Sequence, residues 1–335
     1  MNKTLMARII PVTVLLFLLG VLLFPTPARA EQAWKIGVLM ANDTRLDTFE
    51  GFKTAMAEHA AGSGATHAYT VKNAKGDRSV LAGLAAEIIA AKPDLAVAAG
   101  GIEADALKVA SAGTGIPVIF LAVSSAQERG LVASMQNPGG NITGIDTNDT
   151  VLVEKRLWYI SKLLPKARTV LCFNIPTIAP SAASIALARK IAPQLGLQLK
   201  VIDVASKEEV APAAAALHSG DADVILLLPV APIDATIKET LLPLSRRAQI
   251  PIMGYNEESI DLGAFAAYGS SRNACGAQAA QMAIKVLHGI PPGDLPVETP
   301  STLTLTINRK MTEELGLKLS KRSWNLASTV VNLNP

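Results

Sequence analysis

Lys92-Pro-Asp-Leu-Ala-Val97 in the first half of the chain is answered in the second by Asp221-Ala-Asp-Val-Ile-Leu226, and Gly115-Ile-Pro-Val-Ile119 by Gln249-Ile-Pro-Ile-Met253. Each member of these pairs joins a turn signal to a short apolar run of strand length. Outward from them, such runs alternate with stretches whose apolar residues recur at helical spacing. Ile36 to Met40 predicts a strand, Phe49, Phe52 and Met56 mark one face of a helix, and His67 to Val71 reads as a second strand. Val80, Leu84 and Ile88 repeat the helical face ahead of strands at Leu95 to Ala99 and Val118 to Val123. The order then recurs, with strands beginning at Thr169, Leu197 and Val224 and helices over 181–195 and 207–218. Alternation of this kind predicts βαβ units and a mainly parallel sheet. The internal repeat favours two Rossmann-like α/β lobes in tandem over one extended sheet.

The first thirty residues are of another kind. Lys3 and Arg8 form a basic start, Ile9 to Phe24 is almost wholly apolar, and Ala28-Arg29-Ala30 offers the small residues a signal peptidase needs. The expectation is a signal peptide at 1–30 cleaved after Ala30, and hence a periplasmic protein; the competing reading is a retained anchor, for which the apolar run is near the lower length limit. No Cys lies near the junction to carry a lipid.

Of 31 Lys and Arg, three fall in those thirty residues, which leaves 28 basic against 28 acidic side chains in a mature chain of 305 out of 335 residues. So balanced a charge, with few aromatics and none interleaved with Lys or Arg, argues against a nucleic-acid-binding face. The length exceeds what one core usually organises. Cys172 and Cys275 occur far apart, in no C-x-x-C or metal-ligand spacing; they read as two separate, partly buried thiols, a disulfide being the alternative, and no zinc site is indicated.

One segment carries a family likeness. Pro117-Val-Ile-Phe-Leu-Ala-Val123, followed by Arg129-Gly-Leu-Val-Ala-Ser-Met-Gln-Asn-Pro-Gly-Gly-Asn-Ile-Thr-Gly144, resembles ABC-transporter substrate-binding proteins related to the tryptophan/tyrosine-binding type. Shorter matches follow in order: Glu154-Lys-Arg-Leu with Leu164-Pro-Lys-Ala, Gly263-Ala-Phe-Ala-Ala-Tyr-Gly, Gly289-Ile-Pro-Pro-Gly-Asp-Leu-Pro-Val-Glu, and Thr306-Ile-Asn with Glu314-Leu-Gly-Leu. The resemblance implies a type I periplasmic-binding-protein architecture with three hinge crossovers, near Thr143–Asp146, Ala266–Ser270 and Val297–Thr302. It implies an N-terminal lobe of 34–144 plus 270–296 and a C-terminal lobe of 145–269 plus 297–335. It also implies a monomer that closes on a small ligand, such as an aromatic or branched amino acid or a related carboxylate, and hands it to an ABC permease in the inner membrane. A sensory protein docking on a membrane receptor or kinase is the alternative. The chain departs from the pattern at Ser124-Ser125-Ala126-Gln127, where relatives commonly carry Asp-Pro-Val, so ligand identity does not transfer.

In parallel α/β sheets, ligands bind where strands end and helices begin. In the first lobe this rule nominates Asn42, Asp43 and Thr44, then Gly100, Gly101 and Ile102, then Ser124 and Ser125; in the second it nominates Asn174, Pro176, Val230, Asn256 and Glu257. Glycines admit a ligand close to the backbone, hydroxyls and N–H groups suit a carboxylate, and Asp43 or Glu257 would counter an ammonium. The bland reading of the polar ones is helix capping, for which the same residue types are preferred. Tyr268, in a hinge strand, either stacks on a flat ligand or packs under a lobe. Catalysis is not indicated: His59, His67, His218 and His288 read as solvent-facing, and no metalloprotease, nucleophile-elbow or phosphate-loop motif occurs. No cofactor or metal is expected.

Overall fold

The structure, a computed structural model, describes residues 33–335; the signal-peptide reading lies outside the described residues. Five parallel strands form the first sheet: β1 (Ala33–Met40), β2 (Thr66–Asn73), β3 (Leu95–Ala98), β4 (Val118–Val123) and β5 (Ile142–Asp146), in the order β2-β1-β3-β4-β5. The second sheet contains β6 (Thr169–Asn174), β7 (Gln198–Asp203), β8 (Val224–Leu226), β9 (Ile252–Gly254), β10 (Ala266–Gly269), β11 (Thr304–Asn308) and β12 (Thr329–Val331), in the order β12-β11-β10-β9-β8-β6-β7. Within it only the β10–β11 pairing is antiparallel.

The repeated sequence motifs do the same work in both lobes. Asp94 accepts the Lys35 N–H at 2.7 Å and so ties β3 to the start of β1. Its counterpart Asp223 accepts the N–H groups of Arg168 and Thr169 at 2.7 and 2.8 Å, tying β8 to β6. The two Ile-Pro steps also correspond: the Pro117 carbonyl receives Ala96 N–H at 2.9 Å, and the Pro251 carbonyl receives Ile225 N–H at 2.8 Å. Strands β3, β8 and β9 are buried throughout, as short central strands covered on both faces must be.

Each lobe has its own core. Ile36, Val38, Leu95 and Ile119 pack under the helices Leu46–Ser63 and Arg272–Leu287, while Leu39, Ala96, Ala98 and Phe120 pack against Leu81–Ala90 and Gly101–Ala110 on the other face of the first sheet. A separate cluster including Leu157, Val170, Ile225 and Phe265 fills the second lobe. The helix Arg272–Leu287 follows β10 of the second sheet yet lies on the first. Two glycines allow this: a Cβ on Gly276 would stand 1.9 Å from the Thr48 carbonyl oxygen, and one on Gly51 would stand 2.0 Å from that of Asn273.

The chain passes between the sheets three times, after β5, after β10 and between Glu298 and β11. Ile145 and Asp146 remain part of the first sheet, and Val297 packs into the first-lobe core, so these crossings fall a few residues later than the positions 145 and 297 read from sequence. Glu298 bridges to this sheet through two backbone bonds, to Asp146 N–H at 2.9 Å and to the Gly144 carbonyl at 3.0 Å. Beside the crossings lies Arg156, which is fully buried. Its guanidinium donates to the Asp149 carboxylate at 2.5 Å and to the carbonyls of Asp149, Tyr268 and Tyr255 at 2.7, 2.8 and 3.0 Å.

Cys172 and Cys275 are both buried and unbridged, and burial pushes their thiols up to about 12 and about 11. The expectation for histidine needs correcting. His218 and His288 are exposed, but His59 and His67 are half-buried, because the first lobe packs them beside His288 and Tyr69.

Candidate ligand-binding cleft

Between the lobes, at the carboxyl ends of the parallel strands, lies a cleft of about 710 Å³ lined from both sides and from the crossings. The first-lobe wall is built around the turn after β1. Asn42 accepts the Thr44 N–H at 3.0 Å and hydroxyl at 2.7 Å, which starts a short turn and leaves Arg45 pointing back across the sheet edge. There Arg45 Nε meets Glu103 Oε1 at 2.9 Å, and the same oxygen accepts the Ala41 N–H at 2.9 Å. Glu103 is wholly buried and its Oε2 has no partner among the described residues.

Gly100 and Gly101 matter for what they leave empty. A Cβ on Gly100 would lie 2.8 Å from the Arg45 guanidinium, and one on Gly101 would lie 2.5 Å from that of Arg129. Two guanidinium groups therefore lie over the glycine step. Arg129 Nη1 pairs with Asp105 at 3.1 Å, while its Nε is buried without a partner. Burial raises the Asp105 carboxyl above its usual range, and the nearby Arg129 charge partly opposes that rise.

The second-lobe wall presents Asp234 and Tyr255. The Tyr255 hydroxyl donates to Asp234 Oδ2 at 2.5 Å, and Asp234 Oδ1 is shut off from solvent with no partner. Burial pushes the Asp234 carboxyl up to about 7, against the lowering effects of the Tyr255 bond and of Arg272 and Arg45. Burial, reinforced by the Asp234 charge, raises the Tyr255 phenol well above its ordinary value. Near the hinge, Glu258 pairs with Arg272 at 2.6 Å, and Arg272 reaches the Thr44 carbonyl at 3.3 Å. Ser124 closes the floor, bonded to Thr147 at 2.9 Å and to Asp149 at 3.2 Å.

Of the residues nominated from sequence, Asn42, Thr44, Gly101, Ile102, Ser124 and Asn256 line this cleft. Asn256 does so as a cap, accepting the Ser259 N–H at 3.0 Å. Gly100 lies under Arg45. Ser125 is buried behind the wall, its N–H on Asp146 at 3.3 Å and its hydroxyl on Thr150 at 2.6 Å. Asn174 is turned inward to Ser181 and Asp203, and Pro176 and Val230 give way to their neighbours Thr177, Ile178, Pro229 and Ala231. Asp43 is exposed and engaged with Lys75 at 2.9 Å and Asn73 at 2.7 Å; together with Glu257 it borders a shallower acidic recess outside the cleft. The carboxylate that enters the cleft is Glu258, one residue on, because the Asn256 cap turns the following helix that way. Tyr268 packs against Tyr159, ring centroids 4.8 Å apart. Sequence reasoning missed Arg45, Arg129, Asp234 and Arg272, because no local pattern distinguishes a charged loop or helix residue that reaches the cleft from one that faces solvent.

The sequence profile of the ABC transporter substrate binding protein family matches residues 35–331, nearly the whole described chain. This chain belongs to that family. A tyrosine-binding protein of Clostridioides difficile strain R20291 is 28% identical over 296 residues, which are 88% of this chain and 83% of that protein. Among solved structures, an ABC domain in complex with L-Trp from Streptococcus pneumonia superposes with a TM-score of 0.79 at 23% identity, covering 88% of this chain and all of that one. The ligand-free, open structure of a substrate binding protein with adhesive properties from Clostridium difficile gives 0.71 at 23% identity, covering 90% and 100%. The family is one of substrate-binding proteins of the type I periplasmic fold. Among the described residues no helix is long and apolar enough to cross a membrane.

Proposed function

We propose that this protein is the periplasmic binding component of an ABC importer, exported by the 1–30 segment, that captures an amino acid between its lobes as a monomer and presents it to a membrane permease. The reading rests on one observation: Asp234, a buried carboxylate with an unpartnered oxygen, shares a single cleft with the Arg45 and Arg129 guanidinium groups on the other lobe. An α-amino acid carries the complementary pair of charges, carboxylate toward the arginines and ammonium toward Asp234. Ile102, Ile178, Pro180, Pro229 and Leu262 add apolar wall for the rest of the ligand. The Trp- and Tyr-binding relatives support an amino acid as the ligand class.

Recognition needs only that ligand contacts be better in the closed than in the open arrangement, so that binding shifts the lobes toward closure. The cleft charges are mostly held in pairs, which suits recognition, and the family supports binding in place of catalysis. The test is thermal unfolding of the protein purified from the periplasm of an expressing cell, against the common L-amino acids, sugars and nucleosides. At a hundred times Kd a ligand that binds only the folded state adds about 2.7 kcal/mol. An upward shift confined to amino acids is expected, with an N-terminus at Glu31. A shift with sugars or nucleosides alone overturns the reading.

A further inference from the structure

Of the ion pairs among the described residues, the one between Arg272 and Glu258 alone joins the two lobes; every other falls within one of them. Arg272 opens the helix Arg272–Leu287, which packs on the first sheet, and Glu258 belongs to the short helix Glu257–Asp261 beside the second. The guanidinium is anchored on its own side. Its Nη1 donates to the Thr44 carbonyl at 3.3 Å, and the next residue, Asn273, donates through Nδ2 to the Asp47 carbonyl at 3.2 Å. Nη2 reaches across to Glu258 Oε2 at 2.6 Å. Lobes that swing apart cannot keep both grips.

The surroundings make this one cation decisive. Burial works against the charge of Arg272, yet Tyr255, Glu258, Asp234 and Asp149 support it, and all four belong to the second lobe. Below the pair, a recess open to solvent is lined from the first lobe by Asp43 and Asp47 and from the second by Glu257, Glu258 and Asp261, with Arg272 as the cation among them. Lys75 holds Asp43 at 2.9 Å, whereas Asp47, Glu257 and Asp261 have no ion-pair partner among the described residues. Burial raises the Asp261 carboxyl, and Glu257, Glu258 and, from the opposite lobe, Asp47 add to the rise. Without Arg272, acids of one lobe would face acids of the other.

From these contacts we infer that Arg272 is an electrostatic tie between the lobes, which offsets the repulsion of the facing acids and sets how far the cleft stands open before any ligand arrives. A ligand then shifts an equilibrium whose starting point the tie has fixed, so Arg272 tunes affinity as a positioning residue. The inference goes beyond the binding reading above and holds whichever ligand the cleft takes.

The experiment is small-angle X-ray scattering of the full protein, dialysed free of small molecules, in about 0.02 M and about 0.5 M sodium chloride, between which the screening length falls from roughly 20 Å to roughly 4 Å. A compact chain of this length has a radius of gyration of about 19 Å, and Arg272→Gln is expected to raise it by on the order of 1 Å at low salt as the lobes part. Glu258→Gln keeps the cation and removes its cross-lobe partner, and should open the lobes less. High salt, or Asp47→Asn in the Arg272→Gln background, should reverse part of the opening, because each weakens the repulsion that the tie had offset. Thermal unfolding of each variant as a single cooperative transition shows that the lobes are folded. A radius unchanged in both single variants overturns the inference. So does an opening that neither salt nor Asp47→Asn reverses, which would assign Arg272 to packing alone.

Discussion

Tyr255 donates its hydroxyl to Asp234 Oδ2 at 2.5 Å, and the second oxygen of that carboxylate is buried without a partner. A carboxyl in this setting titrates near neutrality, pushed up to about 7 by burial. The unliganded fold therefore holds a proton that the unfolded chain, with an ordinary carboxyl near 4, has already lost. Its contribution to stability is present at low pH and declines as pH rises from about 4 through about 7. Ligand binding runs the other way, since an ammonium needs the ionised form. Affinity for an amino acid should improve about ten-fold from pH 6 to pH 8 and then level off, and Asp234→Asn should be weak at every pH. Titrations at four pH values check this; an affinity independent of pH would remove Asp234 from the ammonium site.

Arg156 holds together segments from three parts of the chain through four hydrogen bonds, and none of them can be supplied by solvent at a residue with no exposure. Removing one partner of a buried ion pair costs about 3–5 kcal/mol. Arg156→Leu should lower unfolding stability by that order in urea. Arg156→Lys should recover only part of it, because an ammonium lacks the planar fork.

The crossing of Arg272–Leu287 over Leu46–Ser63 depends on the missing side chain of Gly276. Gly276→Ala drives a Cβ into the Thr48 carbonyl and should cost about 1–3 kcal/mol. Gly83, exposed on the helix Leu81–Ala90 with nothing within 4 Å of an added Cβ, is the control. Gly83→Ala should gain up to about 1 kcal/mol from helix propensity. Paired thermal denaturations give both signs at once.

Neighbouring acids at the start of one short helix should behave differently. Glu258→Gln frees Arg272, now paired at 2.6 Å, and should change ligand affinity several-fold. Glu257 is exposed and outside the cleft lining, and Glu257→Gln should stay within about two-fold, as exposed charges usually do. The reverse ranking would return Glu257 to the site.

The strands were largely legible because burial on both faces writes itself as short apolar runs, and because the Asp before β3 and β8 and the Ile-Pro step before β4 and β9 occur in both lobes; their order within each sheet was not. The binding cleft was legible only as a location. Strand ends point to Asn42, Gly101 and Ser124, yet the charged groups that face one another across the space come from further along each loop or helix. Which of Glu257 and Glu258 enters the cleft depends on a single helical turn of about 100° per residue, set by the Asn256 cap. The Gly100-Gly101 step reads in sequence as an opening for a ligand, whereas the space above it is taken by Arg45 and Arg129. Arg45 stands 58 residues from its partner Glu103, and no local pattern records such a pairing.

The central claim is that an amino acid is held between the lobes with its ammonium at Asp234. Isothermal titration of the wild-type protein and Asp234→Asn with each common L-amino acid, at pH 8, tests it most directly. The account predicts measurable heat and one-to-one binding for a small subset, lost in the variant while its melting temperature is kept. Equal binding by the two proteins, or no binding of any amino acid to a folded wild type, would contradict it.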